Sequence, residues 1–160
     1  MGINTAKVVK RRRVEYTFFE ELLQDGRRMV QGPVRTLGNW TPGQVMLHLA
    51  KTMNASIDGM NVQFPFHLKL MGWLFRSRIM NSQVPPGFKI PDSGKQLLDP
   101  PPVTVEEGFE EMEKAVNRIR REPNRVRHPL LGDLTRQEWD HLHLSHAELH
   151  MSFLIPETAR

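Results

Sequence analysis

Seven histidines and no cysteine set the chemistry open to this 160-residue chain. Without a thiolate there is no disulfide, no sulfur-ligated zinc, no cysteine nucleophile and no dithiol redox motif. Any transition metal must be held by imidazole and carboxylate. His48 stands in one segment, and His141, His143, His146 and His150 stand together in another. On a helix, His150 lies about 40° from His146, inside an arc that also holds Trp139, Leu142, Leu149 and Phe153. Asp140, His141, Leu144 and Glu148 fall outside that arc. Two imidazoles one turn apart on an apolar face can converge on one cation.

Such a pair cannot complete a site. His48 is the candidate third ligand, because its helix face carries Val45, Thr52, Ala55, Ser56 and Gly59, small residues that leave room beside an imidazole. Three neutral imidazoles leave positions open for water or substrate, as in catalytic rather than structural centres. His143 edges onto the same arc and is a candidate fourth ligand. Spacing alone leaves a second reading open, in which these are hydrogen-bonded core histidines. Two other metal patterns fail. A zincin needs Glu directly after the first His, but Ala147 follows His146. A di-iron bundle needs two Glu-x-x-His pairs, and only Glu138 to His141 has that form.

The elements that must position these residues announce themselves by their starts. Thr17, Thr41, Thr104 and Thr135 are each followed three residues later by Glu or Gln, the capping-box pattern. Pro42 stands where a first helical residue tolerates a missing N–H. Gly32-Pro33, Pro123 and Pro156 supply stops. The spacing predicts helices over roughly 17–31, 41–60, 104–122 and 135–153. A long connection, about 61–103, holds a short helix near 66–80 and then a Pro-rich stretch through Pro85, Pro86, Pro91 and Pro100–Pro102. No run alternates long enough to predict a strand. The expectation is one all-α domain over 1–160, a four-helix bundle with one long crossover between its second and third helices.

Composition bounds the rest. Lys and Arg number 22 against 18 Asp and Glu, a formal net charge of +4. Lys7, Lys10 and Arg11–Arg13 crowd a basic N-terminal tail of about residues 1–13. Arg118, Arg120, Arg121, Arg125 and Arg127 form a second cluster. No nucleic-acid-binding motif accompanies either cluster, so a solvated tail and a basic helix end are expected rather than a nucleic-acid partner. No apolar run approaches the roughly 20 residues of a membrane helix, and no apolar leader segment follows the N-terminal charges. A cytoplasmic protein without a membrane partner is expected. Glu106, Glu107, Glu110, Glu111 and Glu113 read as a solvated face. Met46, Met53 and Met60 read as packing, Trp40 as core, and Trp139 as core or a pocket wall. His67 and Trp73 are candidates to cover a pocket mouth, and His128 is structural.

Several of these stretches together resemble a known superfamily. Trp40-Thr-Pro-Gly-Gln-Val-Met-Leu-His-Leu49 is similar to the second-helix signature of the DinB-like proteins. His128-Pro-Leu-Leu-Gly-Asp-Leu-Thr-Arg-Gln-Glu-Trp139, then His146-Ala-Glu-Leu-His150, resembles an uncharacterised branch of that superfamily. Lys10-Arg-Arg-Arg-Val-Glu-Tyr-Thr-Phe-Phe-Glu20 fits the same branch. The resemblance implies an up-down-down-up four-helix bundle, often a homodimer, with a divalent ion such as zinc or nickel bound by His48, His146 and His150. Characterised relatives include transferases of low-molecular-weight thiols and a maleylpyruvate isomerase. The resemblance therefore implies a metal-dependent thiol transferase or hydrolase acting on a small molecule. The alternative is a non-catalytic dimeric binding or stress-associated protein with a structural His cluster. The chain departs from the branch in reading His150-Met-Ser-Phe, without the usual Gln after the last ligand.

Overall fold

The computed structural model describes residues 2–59, 62–80, 86 and 99–157. The described part is mostly helical. The principal helices are α1 (Phe19–Val30), α2 (Pro42–Asp58), α3 (Phe66–Leu74), α4 (Arg76–Met80), α5 (Val105–Arg121) and α6 (Arg136–Met151). A single turn of 3-10 helix covers Thr5–Lys7. Two three-residue strands, β1 (Val34–Thr36) and β2 (Leu154–Pro156), pair antiparallel.

Three of the four expected capping boxes form as the sequence predicts. The hydroxyls of Thr41, Thr104 and Thr135 accept from the amides of Gln44, Glu107 and Glu138, and those side chains accept from the three Thr amides in return. The box expected at Thr17 does not form. There Glu21 reaches back to accept from the amides of Thr17 and Phe18, and α1 begins at Phe19. The short helix expected over 66–80 is two helices broken at Phe75. Met60, Pro85 and Pro91, which the sequence reading singled out, lie outside the described residues.

The core is shared by four helices. Leu22, Leu23 and Met29 of α1 meet Val45, Met46, Leu49 and Met53 of α2, Met112, Val116 and Ile119 of α5, and Leu144, Ala147 and Met151 of α6. Leu144 was expected outside the apolar arc of its helix, yet it is buried. The helix therefore has two inward faces: Leu144, Ala147 and Met151 pack the core, and the imidazoles face α2.

Helices α2 and α5 meet backbone to backbone at their N-terminal ends, where a glycine stands on each. A Cβ on Gly43 would come within 2.2 Å of the Thr104 carbonyl oxygen, and one on Gly108 within 2.3 Å of the Gly43 carbonyl oxygen. Only glycine permits this backbone contact. The contact fixes how α2, and with it His48, sits against the rest of the core.

Most of the basic N-terminal stretch is exposed, with Lys7, Lys10 and Arg13 on the surface, but Arg11 and Arg12 are partly buried. Arg12 grips the buried Asp25 of α1 with two guanidinium nitrogens, at 2.7 and 2.6 Å. Tyr16 donates its hydroxyl hydrogen to the same carboxylate at 2.5 Å. The Arg12 amide donates to the Ser152 carbonyl, and the Arg11 guanidinium donates to the Ser152 hydroxyl while lying over the Phe153 ring. These cations clasp the C-terminal end of α6, where the helix dipole favours positive charge. In the second cluster, Arg118 forks onto Asp58, Arg120 pairs with Glu20, and Arg125 donates to the Ile119 carbonyl.

Candidate metal centre

His48 stands on the second turn of α2, seven residues past the Thr41 cap. Its ring is fully buried at the seam with α6. His146 and His150 stand one turn apart on α6 and are half-buried. The His48 and His146 Nε2 atoms are 3.3 Å apart, and those of His146 and His150 are 3.0 Å apart. Ligand nitrogens of all three lie within 4.8 Å of one another. Two imidazoles on one tetrahedral zinc have nitrogens about 3.3 Å apart, given metal–nitrogen bonds near 2.0–2.1 Å. The three residues read from the sequence are thus the three that the fold brings together, and they could hold a metal ion.

The donor set suits a cation. Burial, with His48 beside it, pushes His146 down to about 3, and burial with both neighbours holds His150 well below the usual imidazole range. The two rings are therefore neutral at physiological pH and offer lone pairs. Thr52 and Ser56, the polar neighbours of His48 on α2, turn their hydroxyls back onto the carbonyls of Leu49 and Met53 and do not compete for the site.

His143 does not join the three. Its Nε2 lies 3.1 Å from the Ser56 hydroxyl oxygen. Because Ser56 donates its own hydrogen to Met53, His143 is the donor in that contact. Burial pushes His143 down to about 3. Trp139, expected on the His146 face, stacks instead on His143, with ring centres 5.4 Å apart. His128 is structural, as expected. Its Nδ1 accepts from the amides of Leu130 and Leu131, and burial lowers its pKa to about 4. His141 and Glu138 point elsewhere: His141 meets the Met80 carbonyl, and Glu138 pairs with Arg76 while capping α6. Trp73 and His67 are exposed on α3. The glutamates of α5 lie on its outer side, where Glu110 and Glu111 pair with Lys114.

One further residue of the site is revealed by the fold. Trp40 lies over two of the three imidazoles, 4.7 Å from the His48 ring centre and 5.5 Å from that of His150. Its position just before the Thr41 cap was the available signal, since an apolar residue there packs back onto its own helix. Pairing of β1 with β2 explains the contact with α6. Thr36 faces Leu154, the Leu37 amide donates to the Phe153 carbonyl, and the chain then runs on to Trp40 opposite His150.

A helical protein with three converging imidazoles at the seam of two helices is the class that these features define. The chain belongs to the family described as "Protein of unknown function (DUF1569)", whose match spans residues 8–157. No curated protein and no solved structure matches the chain. Among the described residues, no helix is long and apolar enough to cross a membrane.

Proposed function

We propose that this protein is a divalent-metal-dependent enzyme of DinB-like architecture, a single domain whose four long helices run up-down-down-up. His48, His146 and His150 would hold the ion, zinc or nickel in the first instance. The observation that carries the proposal is the convergence of three buried or half-buried imidazoles from two helices within 4.8 Å. When bound, the ion would lower the pKa of a coordinated thiol or water and so supply a nucleophile near neutral pH. The chain's own part is to keep His146 and His150 neutral by burial. Thiol transfer is the first reaction to expect and hydrolysis the second. A thiol must come from another molecule, since the chain has no cysteine.

The test uses cobalt-loaded protein and a low-molecular-weight thiol such as cysteamine. Thiol coordination would raise a sulfur-to-cobalt charge-transfer band in the near ultraviolet. A cobalt spectrum that the thiol leaves unchanged would remove the thiol reading and leave hydrolysis.

The homodimer implied by the DinB-like resemblance has an apolar face available to it. Phe66, Leu70, Trp73 and Leu74 of α3 are all exposed, and large exposed apolar patches mark association surfaces. Light scattering of wild-type protein against Leu70→Glu checks this: the wild type should run as a dimer and the variant as a monomer.

A further inference from the structure

We infer that Trp40 is a positioning residue of this centre, holding the His150 ring in its ligating orientation by stacking. The inference rests on the metal reading above and assigns a role within it.

A histidine that binds a metal through one ring nitrogen usually donates the other N–H to a carboxylate, a backbone carbonyl or water, and that bond fixes the tautomer and the ring plane. His150 has no such protein partner among the described residues. Its hydrogen-bond-distance neighbour is His146, through the nitrogen that would face the metal. Without such a bond the half-buried imidazole needs another contact to fix its ring plane.

The indole of Trp40 takes the place of the missing bond. Its plane is within 21° of the His150 plane at a centroid separation of 5.5 Å, an offset-stacked arrangement. The same indole leans on His48 at 4.7 Å and 43°. One rigid ring therefore braces one ligand from α2 and one from α6. Trp40 is itself held from both sides. The Thr41–Gln44 capping box fixes the chain just after it, and the Leu37–Phe153 hydrogen bond fixes the chain just before it. Trp40 also packs against the hydrophobic core. The fold thus builds the brace before any ion arrives, which lowers the ordering cost of binding.

The test is a cobalt titration of metal-free wild type, Trp40→Phe and Trp40→Ala, with dissociation constants from a competing chelator and the visible spectrum recorded at saturation. Trp40→Phe keeps a stacking ring and should bind within about threefold of wild type. Trp40→Ala should bind about 10–100-fold more weakly, the loss typical of an orienting partner, with an altered cobalt spectrum. Circular dichroism of the metal-free variants separates lost folding from lost positioning, and Trp40→Leu, which keeps apolar bulk but has no ring to stack and should weaken binding as Trp40→Ala does, carries the comparison if Trp40→Ala fails to fold. A Trp40→Ala protein that binds with wild-type affinity and spectrum overturns the role of Trp40 and leaves the metal centre standing. A wild type that binds no cobalt overturns the metal reading and the inference with it.

Discussion

His146 Nε2 and His150 Nε2 lie 3.0 Å apart across one turn of α6. At that distance a single proton fits between them, and His146 makes a second short contact with His48 at 3.3 Å. Three nitrogens facing one another so closely cannot all carry protons. The cluster can share a hydrogen between neutral rings, and it could hold a metal ion.

Ligand and non-ligand histidines should separate cleanly. His146→Ala and His150→Ala should each weaken zinc binding by more than about 100-fold, since neither remaining pair fills a site. His143→Gln should stay within about threefold, because His143 donates to Ser56 and not to the centre. Competition against a chromophoric chelator measures all three.

Metal-free protein should lose stability in mild acid. His128 is lowered to about 4, and His143 and His146 to about 3, all by burial. Each folded value lies below the unfolded value of about 6.5, so the unfolded chain takes up protons that the folded one refuses. Their stabilisation is full above about pH 6.5 and falls as pH drops toward 4 and then 3. The slope is up to about 1.4 kcal/mol per pH unit for each histidine. Urea unfolding at neutral pH and near pH 5 checks this; unchanged stability between the two would contradict it.

Gly43→Ala should destabilise the protein by about 2–3 kcal/mol, the cost of forcing a methyl group into a packed contact. Helix propensity alone would favour alanine by up to about 1 kcal/mol, so the sign itself is diagnostic. The clash is with backbone, the Thr104 carbonyl at 2.2 Å, which cannot swing aside. Denaturant unfolding midpoints give the answer.

Asp25→Asn keeps the shape of the side chain and removes the charge that Arg12 and Tyr16 share. Breaking a buried pair costs about 3–5 kcal/mol. Arg12 keeps 24% of its side chain exposed, so the lower end applies. Thermal melting should show the loss, and Asp25→Asn combined with Arg12→Met should recover part of it.

Helices α2, α5 and α6 were legible because their starts are chemical: a Thr hydroxyl and a Glu or Gln three residues on answer the amides that a helix leaves unpaired. Thr17 shows the limit of that signal, since Glu21 can satisfy the same amides from one residue further along. The strands escaped notice because three residues are too few to show an alternating pattern. His48, His146 and His150 were legible because helical periodicity places them on inward faces. Trp40 was not, because its contact with His150 depends on the β1–β2 register, a long-range relationship that spacing along one helix does not contain. Arg12 looked like part of a solvated charge run. Its partner Asp25 sits on another element, and only the fold reveals that Asp25 is buried and Arg12 partly so.

Elemental analysis of untagged protein tests the central claim most directly. About one zinc or nickel ion per chain is expected, lost in His146→Ala and in His150→Ala while both variants remain folded. Wild-type protein that is purified free of metal, and that takes up neither zinc, nickel nor manganese on titration, would contradict it.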